Sequence, residues 1–241
     1  MNNQITINQL TDLKLSGMLR AYQTTLCMPI QNQPSLNQFM AQLTQAEILD
    51  RAQKKTEMYM LQSKLRYNAV LEQVHCNTTR NLTQEKLMMI ADCSFIDRAE
   101  NVIITGATGC GKSYLACALG RQACTQGYRT LYFGINRFLE KISTSKLDGT
   151  YIKLLNQIEK THLIIIDDFG LHPLDGVTRL ALLQILEDRY GKKSVIIASQ
   201  LPVAKWHDYI ADKTIADAIM DRMALNAHRF DLKGESLRKK N

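Results

Sequence analysis

The stretch Asn101-Val-Ile-Ile-Thr-Gly-Ala-Thr-Gly-Cys-Gly-Lys-Ser113 decides the fold of this chain. It is an apolar run followed by the pattern G-x-x-x-x-G-K-[ST], and helical spacing continues directly after it, over residues 114–126. Glycines let a backbone wrap around a phosphate chain with no Cβ in the way, and the free N–H groups of the loop and the helix start then point at the anion. A strand, a phosphate-binding loop and a helix in this order predict a P-loop NTPase.

The loop also predicts its own ligands. Lys112 is expected to reach the β- and γ-phosphates of a nucleotide, and the hydroxyl of Ser113 is expected to coordinate Mg²⁺. ATP and Mg²⁺ are therefore the expected cofactors, and Lys112 is expected to contribute to catalysis as well. The residues predicted to bind the nucleotide are Gly106, Ala107, Thr108, Gly109, Cys110, Gly111, Lys112, Ser113 and Tyr114.

A second motif, Leu163-Ile-Ile-Ile-Asp-Asp-Phe-Gly170, is an apolar run that ends in two adjacent carboxylates. In a parallel sheet these acids reach the same edge as the phosphate loop. We expect Asp167 to hold Mg²⁺ through its coordination shell and Asp168 to orient or deprotonate the attacking water. The alternative is a turn in which an Asp caps the following helix, as Asp commonly does.

Apolar runs separated by helical patterns indicate the rest of the sheet. These runs cover residues 102–105, 130–133, 163–166, 195–198 and 229–232. Because strands covered on both faces lose the usual alternation, the predicted fold class is α/β, a parallel sheet flanked by helices. The run between the two motifs favours the NTPase branch with an added central strand and a catalytic acid (ASCE) over nucleotide kinases. Ser199 and Gln200 follow the fourth run, where they either contact the γ-phosphate or the water, or only form a turn before Pro202.

Residues 1–80 have a different pattern, with helical spacing of apolar residues and few β-branched runs. We predict a helix over residues 7–27, a loop around Pro29 and Pro34, and a longer helix over residues 36–67. The polar segment 76–81 is the predicted boundary. The predicted domains are a small all-helical domain for DNA or partner binding (1–80) and an ATPase domain (81–241).

The composition is that of a globular protein. Of the 241 residues, 45% are hydrophobic and 22% are charged, which excludes collagen-like and wholly disordered chains. No run approaches the ~18 apolar residues of a membrane span, and residues 1–9 do not resemble a secretory signal, so we expect a cytoplasmic protein with no membrane partner. The six cysteines contain no C-x-x-C pair and no metal-ligand spacing with the five histidines, which predicts reduced, mostly structural thiols.

The charge balance suggests a polyanionic partner. The chain has 30 basic and 23 acidic residues, a net charge of +7, and basic side chains gain affinity by releasing counterions from phosphates. Arg51, Lys54 and Lys55 share one face of the predicted long helix, where they either follow a DNA backbone or form an ordinary solvated face. With one Trp and few clustered aromatic residues, backbone contacts to duplex DNA without base reading are favoured over stacking on single strands.

The whole chain resembles the AAA+ ATPases of the IstB kind, which are helper proteins of insertion-sequence transposition, and their relative, the helicase loader DnaC. Five segments carry the resemblance: the phosphate loop with its strand, Ile166-Asp-Asp-Phe-Gly170, Ser199-Gln-Leu-Pro202 with Trp206, Ile219-Met-Asp-Arg-Met223, and Gly234-Glu-Ser-Leu-Arg238. Looser matches are Leu13-Lys-Leu-Ser-Gly-Met18 and Glu47 with Arg51.

This resemblance implies further roles. Arg222 matches the arginine finger that enters the γ-phosphate site of a neighbouring subunit, whereas its alternative is a surface pair with Asp217 or Asp221. Arg238 matches an arginine that senses the nucleotide, or it is a solvated terminal arginine. The family commonly has Asn where this chain has Gln200, so Ser199 is a second candidate for the first sensor.

The resemblance also bears on assembly. No helical lid is expected after the last strand, so closure of the site is expected to depend on the neighbouring subunit. In related ATPases the region of Lys141, Lys146 and Lys153 lines the inner surface of the assembly, which makes these lysines a second candidate group for DNA binding.

The expected function is an ATP-dependent transposition helper. It would form a homo-oligomer on duplex DNA with ATP at the subunit interfaces, prepare or select target DNA, and stimulate a transposase. One alternative is a DnaC-like loader that delivers a replicative helicase to single-stranded DNA. The other is a nucleotide-gated DNA-binding adaptor without significant turnover, which the intact Lys112, Ser113, Asp167, Asp168 and Arg222 argue against.

Overall fold

Five strands form one parallel sheet in the computed structural model, which describes residues 3–224 and 227–237. They are β1 (Asn101–Gly106), β2 (Thr130–Gly134), β3 (Leu163–Phe169), β4 (Ser194–Ser199) and β5 (Ala227–Leu232). Their order in the sheet is β2-β3-β4-β1-β5, and every neighbouring pair is parallel. The predicted strands and fold class are therefore confirmed, and β4 is the strand inserted between β1 and β3.

Helices precede and connect the strands. In the described part of the chain they are α1 (Asn3–Asp12), α2 (Ser16–Leu26), α3 (Leu36–Ser63), α4 (Gln84–Ala91), α5 (Ser94–Asp97), α6 (Lys112–Thr125), α7 (Ile135–Leu147), α8 (Tyr151–Glu159), α9 (Gly176–Arg189), α10 (Trp206–Ile210) and α11 (Lys213–Ala224). The helix predicted after the phosphate loop thus begins inside the motif, at its lysine.

Helices cover the sheet on both faces. Ile164 and Ile166 of β3 pack into a core that includes residues of α7, α8, α9 and α11, whereas Leu163 and Ile165 pack into a second core with residues of α4 and α6. This alternation along one strand is the two-residue period of a pleated sheet. Because both faces are buried, the sheet is a rigid platform for the loops at its carboxyl edge.

The chain divides into two compact units, Met1–Met58 and Tyr59–Asn241. In the first unit, the prediction of one helix over residues 7–27 is wrong. α1 ends at Asp12 and α2 begins at Ser16, with Lys14 between them in a left-handed conformation (φ +57°). A long helix was expected because the apolar spacing continues across this break.

A carboxylate on α3 accounts for the start of α2. One oxygen of Glu47, Oε2, accepts the N–H groups of Gly17 (2.9 Å) and Met18 (3.2 Å), which have no partner within the first turn of a helix. A Cβ on Gly17 would lie 2.4 Å from the carbonyl oxygen of Ala46, so the close approach of the two helices requires glycine here.

The division after Met58 differs from the predicted boundary after residue 80. α3 ends at Ser63, before residue 67, because Lys64 takes a left-handed φ of +56°. The following segment packs on α6, where Ala69 is buried with Cys117 and Ala118. Residues 59–80 therefore belong to the unit that contains the sheet.

The cysteines are free thiols, and Cys93, Cys110, Cys117 and Cys124 are buried. Burial raises the pKa of Cys93 to about 12, which keeps this thiol protonated and unreactive. Across residues 3–224 and 227–237, no helix is both long enough and apolar enough to cross a membrane.

Candidate nucleotide-binding site

The phosphate loop connects β1 to α6 at the carboxyl edge of the sheet. Gly109 and Gly111 have φ values of +82° and +90°, a left-handed conformation that side chains rarely adopt. Lys112 follows them and is 6% exposed, and its Nζ donates a hydrogen bond to the carbonyl oxygen of Ala107 (2.9 Å). The ammonium group therefore lies folded against the loop that the sequence predicts to hold phosphates.

The two acids after β3 have different surroundings. Asp167 is fully buried, its Oδ2 accepts from the hydroxyl of Tyr132 (2.6 Å), and its Oδ1 accepts from the N–H of Asp168 (2.8 Å). Burial and the neighbouring Asp167 carboxylate raise the pKa of Tyr132, so its phenol is protonated and acts as the donor. Asp167 is thus fixed in one orientation.

Asp168 is partly exposed and has a left-handed φ of +59°. Its Oδ2 accepts a hydrogen bond from Nη1 of Arg66 (3.2 Å), a residue 102 positions earlier in the sequence. The alternative role as a helix cap does not apply, because α9 begins at Gly176 and Asp175 caps it by accepting the N–H of Thr178 (2.7 Å).

Gln200 and Ser199, at the end of β4, face different surroundings. Oε1 of Gln200 accepts a hydrogen bond from Thr108 of the phosphate loop (2.8 Å). Ser199 is fully buried, donates to the carbonyl of Phe169 (2.6 Å) and accepts from the N–H of Leu201 (3.0 Å). The structure therefore brings Gln200, and not the hydroxyl of Ser199, to the loop.

A cavity of about 720 Å³ joins these elements, which is within the size range of small-ligand sites. Its lining includes phosphate-loop residues, Asp168, Gln200, and the side chains of Tyr67, Val74, His75, Arg80, Leu82 and Leu237. The lining thus combines polar and cationic groups with apolar side chains, as a molecule with a phosphate chain and an aromatic base requires. ATP fits this distribution of groups.

Mg²⁺ fits the site only together with a nucleotide. The hydroxyl of Ser113 and the carboxylate of Asp167 are the hard oxygen ligands that Mg²⁺ prefers. No group of three or more His, Cys, Asp or Glu side chains suited to a metal occurs among the described residues. Phosphate oxygens and water would have to supply the remaining ligands, as is usual for Mg²⁺ in nucleotide sites.

Arg222 lies far from this cavity, near the opposite edge of the sheet. Its carbonyl oxygen accepts from Nδ2 of Asn101 (2.9 Å) at the start of β1, whereas the phosphate loop follows the end of that strand. A six-residue strand is roughly 17 Å long, so Arg222 cannot reach the loop of its own chain. Its guanidinium pairs with Glu187 and donates to the carbonyl of Ala218 (2.8 Å), so Arg222 does form an ion pair within its own chain, with Glu187 as the partner in place of Asp217 or Asp221.

The predicted basic face on α3 takes part in ion pairs within the first unit. Arg51 pairs with Glu47 (2.7 Å), and Lys54 pairs with Asp50 (2.8 Å), which also pairs with Arg20. The hydrogen bond from Arg51 lowers the pKa of Glu47, and that from Lys54 lowers the pKa of Asp50. Arg51 and Lys54 remain more than half exposed, and Lys55 is exposed on the same helix.

The second predicted basic group lies on α7 and α8. Nζ of Lys141 is 5.5 Å from the ring centre of Phe133, and partial burial lowers the pKa of this lysine. Nζ of Lys146 is 4.9 Å from the ring centre of Tyr151, and Lys153 is exposed on α8. Arg238, the predicted nucleotide sensor, lies outside the described residues.

Sequence reasoning missed Arg66 and Arg80. Both lie beside the site, on segments before the first strand, and neither belongs to a recognisable motif. No local pattern connects a cation to a loop that follows it by tens of residues, so only the three-dimensional structure identifies them.

Comparisons with known proteins agree with this geometry. The model of the IstB-like ATP-binding protein family matches residues 8–241. The insertion-sequence ATP-binding protein y4pL of Sinorhizobium fredii is 40% identical over 234 residues, which are 97% of this chain and 96% of that protein. The ATP-binding protein of insertion sequence IS1162 from Pseudomonas fluorescens is 37% identical and covers 84% of this chain and 88% of its own length.

Two solved structures have a similar fold. The DnaC helicase loader has a TM-score of 0.57 and 20% identity, over 70% of this chain and 99% of that one. The replication initiator DnaA, bound to AMPPCP and single-stranded DNA, has a TM-score of 0.59 and 20% identity, over 71% of this chain and 52% of that one. At this identity the likeness concerns the fold alone.

Proposed function

Since this chain belongs to the family of IstB-like ATP-binding proteins, we propose that it is an ATPase that helps an insertion sequence to transpose. Its relatives are named as ATP-binding proteins of insertion sequences. The observation that carries the proposal is the meeting of the phosphate loop, the Asp167–Asp168 pair and Gln200 at one edge of the sheet. An anion cradle beside a carboxylate pair is what phosphoryl transfer to water requires.

The residues of the site divide the work of hydrolysis. The loop N–H groups and Lys112 hold the phosphate chain, while Ser113 and Asp167 hold Mg²⁺, which when bound would neutralise charge on the phosphates. Asp168 accepts the proton of the attacking water, and Gln200 orients that water or the γ-phosphate. Because Arg66 hydrogen-bonds Asp168, this carboxylate must give up or share that bond when it acts as the base.

In this proposal, a neighbouring subunit supplies the positive charge that stabilises the transition state of hydrolysis. Arg222 is too far from its own phosphate loop to stabilise the transition state there. Its position near the opposite edge of the sheet suits head-to-tail contact, in which the finger of one subunit meets the ATP site of the next. A heterologous contact of this kind produces a ring or a helical filament.

DNA is the proposed polyanion on which the subunits assemble. The net charge of +7 and the exposed parts of Arg51, Lys54, Lys55 and the Lys141, Lys146 and Lys153 group support contacts to the backbone of duplex DNA without sequence reading. The proposed output is preparation or selection of target DNA and stimulation of a transposase.

ATP turnover with different partners tests the proposal. Purified protein is assayed alone, with duplex DNA, with single-stranded DNA, and with the transposase of the same insertion sequence. We expect duplex DNA to stimulate turnover more than single-stranded DNA does, and the transposase to change it further. Stimulation by single-stranded DNA and a replicative helicase instead would favour the loader, whose fold likeness to DnaC is the observation in its favour. ATP binding without turnover under all conditions would favour the adaptor.

A further inference from the structure

A short loop before β1 carries an arginine that contacts the phosphate loop and also lines the cavity beside it. Nη2 of Arg80 donates a hydrogen bond to the carbonyl oxygen of Cys110 (2.5 Å). A Cβ on Gly111 would lie 3.3 Å from the same nitrogen, so the guanidinium lies directly against this peptide. The sequence places this segment in a boundary between domains, yet the structure places it at the site.

The loop that presents Arg80 is closed on itself. Asn77 and Leu82 form an antiparallel bridge, and Asn77 Oδ1 accepts the N–H of Thr79 (3.1 Å). Asn81 follows Arg80 in a left-handed conformation (φ +55°), which Asn tolerates better than most residues. Because the turn is fixed at both ends, Arg80 is held in place before any ligand binds.

The end of β5 and the segment after it join this loop to the phosphate loop. The N–H of Lys233 donates to the carbonyl of Arg80 (3.0 Å), and Asn81 Nδ2 donates to the carbonyl of Asp231 (3.0 Å). The N–H of Leu237 then donates to the carbonyl of Gly109 (3.0 Å). Two consecutive carbonyls of the phosphate loop, at Gly109 and Cys110, therefore accept hydrogen bonds from segments that precede and follow the loop in the sequence.

Holding a carbonyl fixes the N–H of the same peptide. In a planar trans peptide the C=O and the following N–H point in opposite directions, and no cis peptide occurs in the described residues. Because Arg80 holds the Cys110 carbonyl on one side of the loop, the N–H of Gly111 points to the opposite side, and an N–H group of this loop can donate to a bound phosphate group.

The positive charge of Arg80 also favours phosphate binding at the loop. No carboxylate forms an ion pair with Arg80 within residues 3–224 and 227–237. Its Nε is buried and has no hydrogen-bond partner in that part of the chain. An uncompensated guanidinium next to the cradle raises the local positive potential, which favours a bound phosphate group.

We propose that Arg80 is a positioning residue of the nucleotide site, which aims the Gly111 N–H at the phosphate chain by holding the carbonyl of Cys110. The proposal rests on nucleotide binding at this site, which is part of the proposed function. It predicts that Arg80 governs the affinity for the phosphate groups, because the loop cradles them, and that it leaves the chemistry at Asp168 unchanged.

The test replaces Arg80 by Met, which removes the donor and the charge, and by Lys, which keeps one charged donor. A matched control is Arg98→Met, since Arg98 is a half-exposed arginine that pairs with Glu100 just before β1, at the other edge of the sheet. Dissociation constants are measured with a fluorescent ADP analogue, and ATP and inorganic pyrophosphate are measured as competitors. The folded state of each variant is checked by its thermal unfolding.

Arg80→Met is expected to weaken the binding of ADP, ATP and pyrophosphate by the same factor, about tenfold or more. This is the size expected for loss of a charged hydrogen-bond donor. Arg80→Lys should recover part of this loss, and Arg98→Met should bind as the unchanged protein does. In turnover assays of Arg80→Met, KM for ATP should rise, while kcat should stay within about twofold of the value for the unchanged protein. If Arg80→Met does not fold, the test uses Arg80→Lys. This variant should also lose affinity for all three ligands by one common factor, which should be smaller than for Arg80→Met.

Other results overturn the proposal. Dissociation constants within twofold of the unchanged protein would show that Arg80 does not act on the site. Weakened ADP binding with unchanged pyrophosphate binding would mean that Arg80 contacts the base or the ribose. A fall in kcat at constant KM would indicate only that a smaller fraction of the variant is folded. If the unchanged protein binds no nucleotide, the proposed function itself fails, which is a different outcome.

Discussion

The phosphate loop and the basic face of α3 both follow from local spacing in the sequence, but they differ in what the structure does with them. In the loop, the spaced glycines and lysine set the backbone geometry themselves, and Gly109 and Gly111 take left-handed φ values. On α3, the spacing of Arg51 and Lys54 puts them on one face, yet their carboxylate partners Glu47 and Asp50 also bind groups of α2. The structure of a backbone motif can therefore be predicted from its own residues, whereas the contacts of a charge pattern depend on partners elsewhere in the fold.

The largest effect is expected at the acid beside the loop. Asp168→Asn should retain ATP and DNA binding but reduce turnover about 10²- to 10⁴-fold, because an amide can hold the water but cannot accept its proton. Single-turnover hydrolysis and ATP affinity are measured on the same sample. Asp175→Asn is a suitable control, since Asp175 caps α9 and is not among the residues that line the nucleotide cavity. Equal losses of binding and turnover would instead make Asp168 a ligand of the metal or a structural residue.

Lys112→Ala should weaken ATP about 100-fold or more, because the charged hydrogen bonds to the phosphates are removed at a buried position. ATP-dependent assembly on DNA should disappear with it. Nucleotide titration checks the first effect and sedimentation with DNA the second. Lys86→Ala, an exposed lysine of α4, is the matched control. Unchanged nucleotide affinity in the Lys112 variant would refute the assignment of the loop.

On α3, the structural role of Glu47 can be separated from any role in DNA binding. Glu47→Ala leaves the N–H groups of Gly17 and Met18 without their acceptor, which costs about 1–3 kcal/mol. Hydrogen exchange at these two amides should accelerate about tenfold or more, while Glu57→Ala, at an exposed position of the same helix, should leave it unchanged. Exchange at the normal rate in Glu47→Ala would mean that this carboxylate does not hold α2.

The same carboxylate predicts a dependence on pH. Its pKa is lowered by Arg51 from the ordinary value of 4.5, so the folded state binds its proton less readily than the unfolded state does. The stabilisation is therefore complete well above pH 4.5 and is lost as the pH falls through the lowered pKa. Protection of the Gly17 amide should decline in this acidic range, and Glu47→Ala should abolish that decline. A decline that persists in the variant would have another group as its cause.

The smallest effect is expected in the salt dependence of DNA binding. Changing Arg51, Lys54 and Lys55 together to Gln should reduce the slope of log K against log salt by up to about 0.9 for each DNA phosphate that these side chains no longer neutralise. Because two of these cations neutralise Glu47 and Asp50, helicity must be compared before and after. An unchanged slope would leave them as partners of those carboxylates and would direct attention to Lys141, Lys146 and Lys153.

Local sequence signals predict the strands, the phosphate loop and the placement of Asp167 and Asp168, because each depends on neighbouring residues. The break between α1 and α2 is not predictable in this way, since Glu47 lies 30 positions from the N–H group of Gly17 that it accepts. The roles of Arg66 and Arg80 cannot be predicted locally for the same reason. Arg66 contacts Asp168, which lies 102 positions away, and Arg80 contacts Cys110, which lies 30 positions away. The partner of Arg222 also comes from another helix, α9, and not from its own.

The central claim is that each ATP site is completed by Arg222 of the next subunit, and mixing two inactive variants tests it most directly. Arg222→Ala subunits keep an intact phosphate loop, and Lys112→Ala subunits keep an intact finger. A mixed assembly then contains some interfaces in which both parts are intact. Mixing Lys112→Ala with Asp168→Asn is the control, because neither variant has a working ATP site.

We predict that Arg222→Ala alone binds ATP normally and hydrolyses it poorly, and that turnover in its mixture with Lys112→Ala exceeds that of either variant while the control mixture stays inactive. Co-assembly is verified by crosslinking in the same samples. Normal turnover in Arg222→Ala alone, or no recovery in a mixture shown to co-assemble, would contradict the claim and leave Arg222 as a surface arginine paired with Glu187.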